Sequence, residues 1–395
     1  MNMLIERKIY KEIKKYIDSK EAIIVTGMRR TGKTSLLELI YENIASNNKV
    51  FLDLENPLNQ KYFEEINYEK VKTSLEFLGL DFNKKAYLFL DEIQFVKKLP
   101  QAIKYLIDHY GIKCFLTGSA SFYLKNLFTE SLAGRKYLFE LYPLDFEEFL
   151  IFKNAKIKLP KNAEGITEAI FYAIDPLYDE YVRFGGFPGV VLKANNEEKK
   201  KSIEDIFTSY FQLEVLQLGD FKKNGIIRDL MLLLMERTGS KLDANKISSE
   251  LGISRITLNE YISFLEGTYF IKLVRPFSKS ADTEIKKMPK VYICDSGLVN
   301  QFSRISEGSL FENNVLQNLK LRGAVNYYQR KSGLEIDFVL NKEMGIEVKI
   351  NPTEKDYGQL EKLSREIGLK SFKIVSKKYP RGLIDKKNID FGFFV

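Results

Sequence analysis

The 395-residue chain has one histidine, His109, two cysteines, Cys114 and Cys294, and no tryptophan. A lone histidine rules out paired-histidine metal sites and leaves a Ser/His/Asp triad only one residue to rest on; its setting in a helical pattern reads as surface. Both cysteines lie in apolar runs of strand type, which excludes a disulfide framework and a cysteine-based zinc site and fits a reducing compartment. Long apolar runs are missing as well. The longest unbroken aliphatic stretch is Leu230 to Met235, far short of the roughly 18 to 20 residues needed to cross a bilayer. The opening MNMLIERKIYKEIKKYI is amphipathic and charged, so neither a secretory signal nor a membrane partner is expected, and the expected location is cytoplasmic. What remains is globular: 45% of residues are hydrophobic and 29% charged, which argues against disorder. The net charge is +8, and residues 281–395 hold 20 Lys and Arg against 15 Asp and Glu. That balance is compatible with a polyanionic partner.

Strand-type runs alternate with helical patterns through the first third, at Ala22 to Thr26, Val50 to Leu54, Ala86 to Leu90, Lys113 to Thr117 and Tyr137 to Leu141. This rhythm predicts an α/β fold with a mostly parallel sheet covered by helices. From about Phe146 to Gly225 the pattern is helical and charged, interrupted by the loop Arg183-Phe-Gly-Gly-Phe-Pro188. Three further helical patterns follow, at Ile226 to Thr238, Ala244 to Leu251 and Arg255 to Glu266, and then a β-rich stretch to Pro276. The last hundred residues return to alternation. The predicted division is a nucleotide-binding core at 1–150, a helical accessory domain at 151–225, a winged helix-turn-helix at 226–280 and a second α/β domain at 281–395.

Gly27-Met-Arg-Arg-Thr-Gly32-Lys33-Thr34 fits G-x-x-x-x-G-K-[ST] and stands between the strand AIIVT and the helical pattern SLLELIYENI. That is where such a loop works: its N–H groups and the helix N-terminus point at phosphate, Lys33 reaches the outer phosphates and the Thr34 hydroxyl can ligate Mg²⁺. Gly27, Arg29, Arg30, Thr31, Gly32, Lys33, Thr34 and Ser35 are the candidate ATP contacts. Arg29 and Arg30 read equally as solvated side chains or as phosphate contacts. The run Ala86-Tyr-Leu-Phe-Leu90 ends in Asp91-Glu92, two carboxylates at the C-terminal end of a central strand, where parallel sheets place their ligands. Asp91 is expected to hold Mg²⁺ through water and Glu92 to polarise the attacking water. Thr117 and Ser119, at the end of the next strand, read either as turn residues or as sensors beside the γ-phosphate.

The whole region resembles the AAA+ type P-loop ATPases, and within them a prokaryotic group in which the loop G-x-R-R-x-G-K-T is followed by T-G-S, a Gly-Arg and P-L-x-F-x-E-F. Here those elements are Gly27 to Thr34, Thr117 to Ser119, Gly134-Arg135 and Pro143 to Phe149. The resemblance implies a sensor at Thr117 or Ser119, makes Arg135 a candidate arginine finger, in cis or donated within a homo-oligomer, and makes the helical segment a lid. Arg183 reads as a second arginine contact from that lid or as a salt bridge.

In Ala244 to Leu265 two helices are joined by a short Gly252 turn with Ser254 as N-cap, and Leu258, Tyr261, Ile262 and Leu265 share one face. Arg255, Thr257 and Asn259 face outward and are candidate DNA contacts, with a wing near Phe270 to Pro276; packing against protein is the competing reading. Near the C-terminus, Glu347 and Lys349 share a face of one strand, Asp337 lies on the strand before it and Glu312 on a preceding helix. Carboxylates on adjacent strands with a nearby lysine suit phosphodiester hydrolysis: Glu312, Asp337 and Glu347 as metal ligands and Lys349 orienting water. The order of elements resembles the PD-(D/E)XK nuclease fold, which prokaryotic ATPases of the above group commonly carry at this end. The expected function is a Mg²⁺-dependent ATPase acting on DNA. A regulatory switch with a protein partner, or a motor whose nuclease fold only grips, are the alternatives.

Overall fold

The computed structural model describes residues 4–119, 132–160, 162–219, 221, 224–278, 280, 284, 287–384 and 386–395. The chain forms two compact units, residues 1–142 with 267–269, and residues 143–266 with 270–395. No described helix is long and apolar enough to cross a membrane.

The first unit is built on five parallel strands, β1 (Ala22–Thr26), β2 (Lys49–Asp53), β3 (Tyr87–Asp91), β4 (Lys113–Gly118) and β5 (Lys136–Glu140), in the order β2-β3-β4-β1-β5. Strands β1, β3 and β4 are buried along their whole length, which is why they read as continuous apolar runs rather than alternating ones. The period of two sends Ile24, Leu88, Leu90 and Leu116 to one face and Ile23, Val25, Phe89 and Phe115 to the other. Helices α1 (Ile9–Lys14) and α2 (Lys33–Asn43) cover the second face through Tyr10, Ile13, Leu36, Leu37 and Ile40, while α3 (Tyr68–Phe77) and α4 (Leu99–Tyr110) cover the first through Val71, Leu75, Ile103 and Leu106. His109 is exposed on α4, as its pattern predicted.

In the second unit α5 (Phe146–Phe152), α6 (Glu168–Phe184) and α7 (Asn196–Tyr210) precede α8 (Asn224–Glu236), α9 (Ala244–Glu250) and α10 (Arg255–Gly267). Strand β6 (Ile271–Val274) pairs antiparallel with β7 (Lys290–Ile293), so the partner of the expected wing strand comes from beyond residue 280 rather than from a tight hairpin. Next come α11 (Ser296–Phe302), α12 (Glu307–Leu319), β8 (Val325–Gln329), β9 (Glu335–Leu340), β10 (Met344–Lys349), α13 (Glu354–Ile367), β11 (Ser371–Ser376) and β12 (Ile389–Phe391). The five strands form a mixed sheet, β12-β11-β10-β9-β8, antiparallel from β8 to β10 and parallel from β10 to β12.

A buried polar network ties this unit together. Asp295, fully buried, accepts from the backbone N–H of Gly186 and of Gly297 at 2.8 Å each and from the Gln317 amide at 3.3 Å. Gly185, at φ +76°, leaves no room for a side chain: a Cβ there would lie 1.8 Å from the Asp295 carboxylate. Asn314 and Asn318 on α12 meet the hydroxyls of Tyr178 and Tyr181 on α6. The double glycine of the Arg183 loop thus serves close packing. Arg183 itself pairs with Asp179 one turn back, at 2.8 Å.

Candidate functional site

Strand β1 delivers the chain into the phosphate loop, and α2 begins at Lys33. A Cβ on Gly27 would lie 2.1 Å from the Leu141 carbonyl oxygen, so the tight passage from strand to loop needs glycine. The Lys33 side chain is buried, its ammonium donating to the carbonyls of Gly27 and Met28 at 3.1 Å each. The Thr31 hydroxyl closes the loop on Met28 O at 2.8 Å. Arg30 takes a left-handed backbone, φ +66°, and is exposed, Arg29 is half-buried, and Ser35 is exposed on the first turn of α2.

The register, Val25 beside Thr117 and Leu90 beside Leu116, ends β3 level with the loop across the intervening β4. The Thr34 hydroxyl donates to Asp91 Oδ2 at 2.6 Å, and the Thr117 hydroxyl donates to Asp91 Oδ1. Burial pushes the Asp91 carboxyl above its usual range, against the hydrogen bonds from Thr117 and Thr34, with Glu92 adding to the rise. Glu92, φ +53°, is buried, and Ser119 accepts from the Gln94 amide at 2.9 Å. A hydroxyl and a carboxylate that touch, beside a buried lysine at the mouth of a phosphate loop, fit Mg²⁺ bound with a nucleotide.

Arg135 stands elsewhere. It precedes β5, whose register sets Lys136 beside Ala22 and Glu140 beside Thr26. The loop begins at the opposite end of these strands, five residues on, or about 16 Å. The Arg135 guanidinium, bonded to Asp108 at 2.6 Å, cannot reach a phosphate in its own loop.

Arg7 belongs to no motif, and the sequence reading missed it. Its guanidinium donates to Thr31 O in the loop at 2.8 Å and to Tyr142 O at 2.9 Å. The Tyr142 and Tyr269 hydroxyls in turn grip the two oxygens of Glu140, at 2.7 and 2.9 Å. Because one charge-assisted bond of about 1.5–3 kcal/mol holds the loop carbonyl, Arg7→Ala is expected to weaken ATP binding by roughly tenfold and Arg7→Lys to recover part of it. A fluorescent-nucleotide titration reads this, and unchanged affinity in Arg7→Ala refutes it.

The second cluster lies in the C-terminal sheet. Asp337 Oδ2 accepts from the Val348 N–H at 2.8 Å, and Lys349 pairs with Glu347 at 2.7 Å. Burial, then the charges of Glu347 and Glu312, push the Asp337 carboxyl well above its usual range, and burial raises Glu347 as well. Glu312 is engaged differently from the expectation. Its carboxylate accepts from the Tyr292 hydroxyl at 2.6 Å and lies 3.5 Å from Lys290, which also bonds Glu335. Among the described residues no three carboxylates, cysteines or histidines are placed to hold a metal ion. The charges of Glu312 and Glu347 both act on Asp337, and the buried ammonium of Lys290 offsets Glu312. Alternation in Lys290-Val-Tyr-Ile293 puts Lys290 and Tyr292 on one face of the strand, but only the fold brings Glu312 to them.

On α10, Leu258, Tyr261, Ile262 and Leu265 are buried, Arg255 and Asn259 exposed and Thr257 half-buried. Ser254 Oγ accepts from the Thr257 N–H at 3.1 Å, the expected cap.

Residues 19–150, within the N-terminal unit, match a family described as an AAA domain. Residues 175–309 and 307–385 match two families described as domains of unknown function, DUF8612 and DUF4143. An uncharacterized protein of Methanocaldococcus jannaschii is 29% identical over 351 residues, 84% of this chain and 76% of that protein. One of Haemophilus influenzae is 27% identical over 359 residues, 86% of this chain and 84% of that one. Among solved structures, a Walker-type ATPase of Pyrococcus abyssi is 16% identical with a TM-score of 0.44, covering 76% of this chain and 96% of that one.

Proposed function

We propose that this chain is a Mg²⁺-dependent ATPase whose nucleotide cycle acts on DNA held by the second unit. One observation carries the catalytic part: the Thr34 hydroxyl and the Asp91 carboxylate, 57 residues apart in sequence, meet at 2.6 Å beside the phosphate loop. The loop N–H groups and Lys33 take the phosphates. Thr34 and Asp91 would hold Mg²⁺, which when bound would neutralise negative charge on the phosphates. Glu92 accepts the proton of the attacking water, and ADP and phosphate leave. The placement of Arg135 at the far edge of its own sheet supports a finger donated to a neighbouring subunit, so turnover belongs to a homo-oligomer.

For the second unit, the exposed Arg255 and Asn259 at the start of a capped, well-buried helix support DNA contact by α10. Gripping is favoured over cutting, because Lys290 and Tyr292 occupy Glu312. DNA affinity across a salt series tests this. Log K should fall linearly with log salt, and Arg255→Ala should make the slope shallower by about one, since one phosphate contact is lost. DNA that is not retained even at low salt removes this reading in favour of a switch with a protein partner.

A further inference from the structure

Gln94 lies two residues beyond Glu92, in the short turn Ile93–Phe95, and is 5% exposed. Its amide nitrogen donates to Glu92 Oε2 and, at 2.9 Å, to Ser119 Oγ at the end of β4. A carboxylate repels the amide oxygen and attracts the nitrogen, so Glu92 dictates which way the amide faces. The Gln94 oxygen has no protein donor among the described residues, so the amide is held from its nitrogen side alone.

We propose that Gln94 is the positioning residue of ATP hydrolysis, orienting the Glu92 carboxylate by tying it to the Ser119 hydroxyl. This rests on the ATPase reading above. A glutamate side chain has several rotamers, and a general base works only when its oxygen points at the attacking water. One amide N–H fixes Oε2 and leaves Oε1 to take the proton. The amide is neutral, so it orients the base without setting a full charge beside it. The Ser119 oxygen accepts from Gln94 and keeps its own hydrogen to donate toward a γ-phosphate oxygen. Glu92, Gln94 and Ser119 thus form one line from the base to the phosphate-facing edge of the sheet, and ATP and ADP present different partners at its Ser119 end.

The test uses the full chain with Mg²⁺ and reads nucleotide affinity, KM and kcat. Gln94→Ala should lower kcat about 30- to 100-fold, with KM and nucleotide affinity within threefold of wild type. Gln94→Glu keeps the shape but removes the amide donor, so it should lose kcat as far as Gln94→Ala does, again with KM within threefold. A side chain that merely supports the fold moves affinity and turnover together. The proposal is overturned by wild-type kcat in Gln94→Ala, by equal losses of affinity and kcat, or by wild-type kcat in Gln94→Glu. Glu92→Gln run alongside separates the two readings: if it is inactive while Gln94→Ala is normal, only the role of Gln94 falls, whereas an active Glu92→Gln removes the base assignment itself.

Discussion

Glu92→Gln is expected to bind ATP as tightly as the wild-type chain and to hydrolyse it about a thousandfold more slowly, the range in which removing a general base falls. The substitution preserves shape, so the buried turn keeps its packing and Gln94 still finds an acceptor. Nothing in the phosphate contacts changes: Lys33, the loop N–H groups and the Thr34–Asp91 pair are untouched. Affinity and turnover should therefore separate. Nucleotide titration beside a phosphate-release assay reads both, and equal losses in the two would sink the role assigned to Glu92.

The largest expected effect on stability is at Asp295. Asp295→Ala strands the N–H groups of Gly186 and Gly297 and the Gln317 amide in a buried site, each at about 1–3 kcal/mol. A loss of about 3 kcal/mol or more is expected in denaturant unfolding. A midpoint equal to wild type contradicts the structural role. The same carboxyl carries a pH signature. Burial pushes it up to about 6, against the hydrogen bonds from Gly186 and Gly297, while in the unfolded chain it titrates near its ordinary value of about 3.9. Between those values the folded protein holds more protons than the unfolded one, so this contribution makes stability fall as pH rises from about 4 to 6. Asp295→Asn, which does not titrate, should flatten that part of the profile.

The parts of the molecule legible in the sequence are those whose signal is local. The five strands of the first unit announce themselves as apolar runs within a residue of their true limits, and the phosphate loop is legible because strand, glycines, Lys33 and helix are consecutive. Asp91 and Glu92 are legible because they end a buried strand. Arg7, Gln94, Lys290 and Tyr292 are not, since each acquires meaning only from a partner brought in by the fold: a loop carbonyl 24 residues away for Arg7, Glu312 for Tyr292. The motif order around Arg135 could not say which end of the sheet it occupies; strand register decides that. Arg183 reads in the sequence as a lid contact or a salt bridge, and composition alone does not show that the glycines after it make room for Asp295.

The most direct measurement is the rate of Mg²⁺-ATP hydrolysis by the full chain with and without single-stranded, duplex and branched DNA, with DNA products scored in the same tubes. One of the three forms is expected to raise the rate several-fold while the DNA stays uncut. A rate indifferent to all three, from a chain that retains none of them, would contradict an ATPase that acts on DNA.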